Sequence, residues 1–210
     1  MTPYPARELI MAGAAVEHAR AVVILLHGRG ASARDILGIA DALGQSDIAY
    51  LAPQAPRNSW YPFSFLAPIA QNEPALSHAL ETVGEIIADS EARGMPRQRS
   101  CILGFSQGGC LAPEFAARHA TRYGCIVGLS GGLIGPKETK RSYLGSLADT
   151  PVFIGCSDID PHIPLWRVQE TARVLQELGA LVTEKIYPGM GHAVNEDEIA
   201  HVRALLSGIS

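Results

Sequence analysis

The chain has 210 residues, a length that one domain accommodates, so a single domain over 1–210 is expected. It is 47% hydrophobic and 18% charged with a formal net charge of −4, which supports a sizeable core and leaves no basic footprint for nucleic acid or an anionic membrane. Its four cysteines, Cys101, Cys110, Cys125 and Cys156, show no CxxC or Cys/His ligand spacing, so the thiols read as reduced and mostly buried, with no metal, in a cytoplasmic protein.

The start, Met1-Thr2-Pro3-Tyr4-Pro5, lacks the charged and apolar regions of a signal peptide. The apolar runs fall short of bilayer length, so stable membrane insertion is not expected. Ala21–Leu26 (AVVILL) is a continuous apolar run without alternation, the pattern of a strand buried on both faces. It runs into His27-Gly28-Arg29-Gly30. Ile48–Leu51 is a second such run, followed by Pro53-Gln54-Ala55-Pro56 and the densest aromatic stretch, Ser59-Trp60-Tyr61-Pro62-Phe63-Ser64-Phe65-Leu66. That stretch reads as a loop, which either walls an acyl pocket or covers the edge of the sheet. Leu76, Leu80, Val83 and Ile87 mark a helix face, and Ser100–Phe105 is the next buried strand.

The helix expected after that strand contains Pro113, which lacks an N–H and crowds the Gly109 carbonyl; a kink or early break near Gly109–Pro113 is expected. Cys125–Leu129 and Val152–Gly155 are further strands. Leu165, Val168, Ala172, Leu175 and Leu178 share a helix face that Gly179 ends, with Trp166 near its start as a packing residue. Val182–Tyr187 is a more polar strand, nearer an edge. Asn195 caps the last helix, Glu196, Asp197 and Glu198 fill its first turn, and Ile199, Val202 and Leu206 form its apolar stripe. Strands alternating with helices imply an α/β fold: a mostly parallel central sheet, helices on both faces, and ligands at the carboxyl ends of the strands.

The chemistry sits at those ends. Gly104-Phe105-Ser106-Gln107-Gly108 matches G-x-S-x-G between a strand and a helix. A serine on so sharp a turn needs small residues two positions to either side, and the following helix aims its positive N-terminus at a developing oxyanion. A serine alone is a weak nucleophile and needs a base oriented by an acid, in the chain order Ser, acid, His. Gly155-Cys156-Ser157-Asp158-Ile159-Asp160-Pro161 and Gly189-Met190-Gly191-His192 each follow a strand. His192 is the expected base. His18, His78, His119 and His201 lack a strand-end context, and His162 lies too near the acid in sequence. The acid is Asp160 or Asp158; Asp160 is favoured because Pro161 restricts its backbone. The oxyanion hole calls for two main-chain N–H groups, from Gln107 and from Arg29 on the loop after Ala21–Leu26. His27 reads as a brace for that loop.

Taken in order, the strand-HG-x-G opening, Gly-Phe-Ser-Gln-Gly-Gly, Leu-Ser-Gly at 129–131, Asp160-Pro161-x-Ile163-Pro164 and Gly191-His192 resemble the phospholipase/carboxylesterase family of the α/β-hydrolase superfamily. The resemblance runs from Val22 to the end of the chain; the family includes the acyl-protein thioesterases and many small bacterial carboxylesterases. It implies cofactor-free hydrolysis of carboxylic esters or thioesters, with Ser106, Asp160 and His192 as triad and the Arg29 and Gln107 N–H groups as oxyanion hole. It also implies an aromatic pair, Trp60 and Tyr61, in the substrate pocket. The expected partner is a small-molecule ester, and because the family includes dimers a homodimer is entertained. Three departures stand out. Thioesterase-type members carry Leu at Arg29, the HGD opening of the acid motif reads Cys156-Ser157-Asp158, and the segment from Pro53 to Trp60 is compact. They point to small or medium acyl groups. Two other readings are a dienelactone-hydrolase-like lactonase, whose family uses Cys where this chain has Ser106, and a non-catalytic ligand-binding protein, which typically lacks a triad member.

Overall fold

Apolar runs without alternation form the centre of a twisted sheet, because both of their faces must be covered. The computed structural model describes residues 8–209, so the Met1–Pro5 segment read above lies outside the described residues. Among them β1 (Leu9–Gly13), β2 (Ala21–Leu26), β3 (Ile48–Pro53), β4 (Ser100–Phe105), β5 (Cys125–Leu129), β6 (Pro151–Ser157) and β7 (Leu181–Tyr187) form one sheet in the order β1-β3-β2-β4-β5-β6-β7. Only β1 runs antiparallel, against β3; the other pairs are parallel. This is the α/β-hydrolase fold that the alternation of elements implied. β7 closes one edge, as its polar pattern suggested, with Leu181, Thr183 and Glu184 exposed.

The helices are α1 (Ala33–Leu43), α2 (Ile69–Asn72), α3 (Ala75–Ala92), α4 (Gln107–Arg118), α5 (Leu165–Glu177) and α6 (Glu196–Ser207). The two faces of the sheet make two cores. Val22, Ile24 and Leu26 pack with α3, α4 and α5, while Ala21, Val23 and Leu25 pack with α1 and α6. β1 and α1 add to the elements expected from the sequence. The signal for α1 was present: Ser32 and Asp35 form a capping box, Ile36, Ala40 and Leu43 are buried, and Gly44 ends the helix in the left-handed region at φ 63°.

The break expected at Gly109–Pro113 does not occur: α4 runs uninterrupted through Pro113 and is buried from Gln107 to Ala117. Glycines explain why the proline is accommodated. The helix lies backbone-to-backbone on β5, so a Cβ on Gly128 would sit 3.1 Å from the Gly109 carbonyl and 3.8 Å from Pro113 Cδ. Neighbouring backbone thus holds the Gly109 turn in place where its own hydrogen bond is missing.

The expectation of reduced thiols is corrected for one pair. Cys101 and Cys125 are register partners on β4 and β5 and are joined by a disulfide, while Cys110 and Cys156 are free and buried. Periodicity placed both residues on strands, but it could not show that those strands were neighbours in this register.

A buried ionic cluster fastens the chain between β5 and β6. Arg167 on α5 is fully buried; it donates to the Leu133 and Gly135 carbonyls at 2.8 and 2.7 Å and pairs with Glu170 at 3.2 Å. Glu114 on α4 accepts from the Ile134 N–H at 2.8 Å and pairs with Arg118 at 2.7 Å. Arg141 lies between Glu114 and Glu170, at 3.9 and 3.6 Å. Trp166 packs on this cluster, its ring 4.6 Å from the Arg167 guanidinium. No helix of the described residues is long and apolar enough to cross a membrane.

Candidate active site

The carboxyl end of β4 turns sharply into α4, and Ser106 occupies that turn at φ 57°, ψ −117°. Such a backbone is costly for a residue with a side chain, and here packing imposes it. Ser106 N–H donates to the Leu129 carbonyl at 2.9 Å. A Cβ on Gly104 would collide with the Gly108 carbonyl, and one on Gly108 with the Leu26 carbonyl. The glycines flanking Ser106 are therefore required by close backbone approach, as their spacing suggested.

Two loops converge on this serine. His192 Nε2 lies 2.9 Å from Ser106 Oγ, and its Nδ1 lies 2.7 Å from Asp160 Oδ2. The other oxygen of Asp160 accepts the His162 and Ile163 N–H groups at 2.8 and 3.0 Å. Burial pushes the Asp160 carboxyl up, but the hydrogen bonds from His192, His162 and Ile163 outweigh it and hold its pKa below the ordinary value. Asp158, the alternative acid, is exposed and accepts the Gly189 N–H at 2.8 Å. Ser157 Oγ accepts the Gly191 N–H at 3.1 Å. Asp158 and Ser157 thus tie the acid loop to the histidine loop without touching the imidazole. His162 packs edge-on against His192 with ring centroids 4.8 Å apart. His201, on α6, is stacked on Phe153 of β6.

The loop after β2 and the start of α4 meet at Ser106. Gly28 lies against Ser106, since a Cβ there would be 3.3 Å from the Ser106 Cβ. Gln107 opens α4, where a first-turn N–H has no partner inside the helix. The side chain of Gln107 has a structural task beyond its expected main-chain role. It is buried and braces the aromatic loop: Oε1 accepts the Trp60 N–H at 2.9 Å, and Nε2 donates to the Tyr61 carbonyl at 2.8 Å.

His27 is the brace it was read to be. Its Nε2 accepts the Ala55 N–H at 3.1 Å, which leaves Nδ1 to donate to the Gly28 carbonyl at 2.8 Å. Burial lowers its pKa and keeps the ring neutral in this role.

One pocket expectation needs correcting. Trp60 does not line the cleft over Ser106. Its indole N–H donates to the His27 carbonyl at 2.8 Å and its ring lies 5.0 Å from His27, because a buried indole N–H must find an acceptor. Tyr61 does reach the cleft. The cleft, about 440 Å³, is lined by Tyr61, Phe65, Cys110 and Ile163 together with Arg29 and Ser106. Among the described residues no group of three or more His, Cys, Asp and Glu side chains is arranged to hold a metal ion.

Just beyond His192, Asn195 and Glu198 form a capping box at the start of α6. Glu198 is fully buried, and one of its oxygens has no partner. Burial raises its pKa to about 7. Its folded pKa thus exceeds the ordinary carboxyl value, and the folded state binds the extra proton. Stability should therefore fall as pH rises between the unfolded value and about 7. Urea unfolding of Glu198→Gln across that window should show a flatter profile than the natural chain; an equally steep one would refute the assignment.

Comparisons with known proteins agree with this architecture. Residues 9–209 match the family described as Phospholipase/Carboxylesterase. The chain belongs to that family. It is therefore a hydrolase acting on esters. A crystal structure of a phospholipase/carboxylesterase from Dyadobacter fermentans DSM 18053 is 43% identical, with a TM-score of 0.92 over 96% of this chain and 97% of that one. Acyl-protein thioesterase 1 of Saccharomyces cerevisiae is 26% identical over 92% of this family member and 94% of its own length. The protein called esterase PE8 shares the fold, with a TM-score of 0.82 at 23% identity over 97% of this chain and 99% of that one.

Proposed function

We propose that the chain is a serine carboxylesterase that hydrolyses small to medium acyl esters, thioesters included, through an acyl-enzyme on Ser106. The observation that carries this reading is the continuous relay from Asp160 through His192 to Ser106, with steps of 2.7 and 2.9 Å, opening on a cleft. His192 takes the Ser106 proton as the hydroxyl attacks the ester carbonyl, and Asp160 stabilises the imidazolium. The Arg29 and Gln107 N–H groups receive the oxyanion. His192 then gives the proton to the departing alcohol or thiol. Water repeats the sequence against the acyl-enzyme and releases the acid. The strained turn keeps the hydroxyl presented to the cleft throughout.

Arg29 in the cleft lining, where thioesterase-type members carry Leu, supports the limit on acyl length. The test is labelling with a fluorophosphonate. The probe should attach to the peptide containing Ser106, and hydrolysis of 4-nitrophenyl acetate and butyrate should cease in step with labelling. Full turnover after complete labelling, or labelling elsewhere, would refute this reading.

A further inference from the structure

We propose that the cleft selects esters carrying a carboxylate and that Arg29 is the residue that recognises it. The proposal rests on the reading of Ser106 as nucleophile and adds a substrate class to it. Among the described residues two basic side chains, Arg29 and His162, line the cleft, and no acidic one does. The one carboxylate of the relay, Asp160, is already taken up by His192 and two backbone N–H groups.

The Arg29 guanidinium is held in place rather than free. Nη1 donates to Ser59 Oγ at 3.0 Å and to the Pro62 carbonyl at 2.9 Å, and Nη2 donates to the Phe63 carbonyl at 2.6 Å. Its Cζ lies 5.8 Å from the centre of the Tyr61 ring, another wall of the cleft. All three acceptors are neutral, and no Asp or Glu of the described residues forms an ion pair with it. The charge is therefore fixed in position but not neutralised.

A guanidinium has five N–H donors, so Nε–H and one Nη2–H remain for a ligand. A planar carboxylate matches them, and pre-ordering of the side chain removes most of the entropy cost of recognition. The N-terminus of α4 adds positive potential on the same side of the cleft. A purely apolar acyl ester would use none of this.

The carboxylate can belong to the acyl group or to the alcohol, and paired substrates separate the two. One pair is 4-nitrophenyl hydrogen succinate against 4-nitrophenyl butyrate. The other is 4-carboxyphenyl butyrate against 4-carbamoylphenyl butyrate. For each pair the ratio of kcat/KM is compared between the natural chain and Arg29→Gln, so intrinsic ester reactivity cancels. In one pair the ratio should fall roughly tenfold, mainly through KM, as expected for loss of one charge-assisted contact. Arg29→Lys should keep part of the preference.

Equal ratios in both pairs would overturn the proposal even if absolute rates drop, because that drop would report only a loosened 59–63 loop. Calorimetric binding of succinate, measured on the same variants, does not depend on turnover. Weaker binding to Arg29→Gln supports the proposal; equal binding to both chains overturns it. If no ester is hydrolysed while succinate binding still depends on Arg29, the failure lies with Ser106 and not with the anion site.

Discussion

Asp160→Asn should lower kcat/KM for a neutral ester about ten-thousand-fold while leaving the fold intact. The size of the effect follows from which oxygen does what. Asp160 Oδ1 is fixed by two backbone N–H donors, at 2.8 and 3.0 Å, so an asparagine must keep its carbonyl oxygen there. Its NH₂ group then takes the place of Oδ2, 2.7 Å from His192 Nδ1. It donates to Nδ1 and forces the ring proton onto Nε2, the atom facing Ser106. An imidazole protonated there cannot accept the serine proton. The comparison is Asp158→Asn, which loses only part of the Gly189 contact and should cost far less. Rates for the two variants, with circular dichroism to verify folding, decide the matter; similar losses from both would mean that Asp160 has no special role. Because its carboxyl pKa is held low, the Asp160 contribution to stability is present above the ordinary carboxyl value and is lost as pH falls through the depressed one.

Arg167→Met should destabilise the protein by about 3–5 kcal/mol, the range for breaking a buried ion pair by removing one partner. The side chain is fully buried, and its removal strips the Leu133 and Gly135 carbonyls and Glu170 of a donor at once. Methionine fills much of the volume, so the loss measures polar groups left unpaired rather than a cavity. Urea unfolding gives the value, and a change below about 1 kcal/mol would show that water or Arg141 takes over the contacts. The exposed pair Arg173–Glu177, at 2.6 Å, provides the contrast: its disruption should be nearly silent.

Most of the fold was legible because buried parallel strands advertise themselves as unbroken apolar runs, and the site because its residues follow strand ends in a fixed order. Distinctions that depend on three-dimensional neighbours were not. Trp60 and Tyr61 are adjacent and both aromatic, yet one points to His27 and the other to the cleft. Which does which depends on where an acceptor for the indole lies. Cys101 and Cys125 needed strand register, and the cluster around Arg167 joins residues from α4, α5 and the chain between β5 and β6. Pro113 misled because a local rule about helices took no account of the glycine surface beneath it. β1 went unread because it alternates weakly and is half exposed, with only β3 as partner.

The two ties below the histidine, Asp158 to Gly189 and Ser157 to Gly191, make the acid and histidine loops a single mechanical piece. The aromatic wall is anchored by other means: Gln107, His27 and the Arg29 guanidinium. The aromatic loop is therefore tied to the Ser106 side of the cleft, and the acid and histidine loops to each other. Ser64 and Phe65, which line the cleft, can be exchanged to reshape it while Asp160, His192 and Ser106 keep their alignment, so changes confined to one loop should alter which esters the cleft accepts.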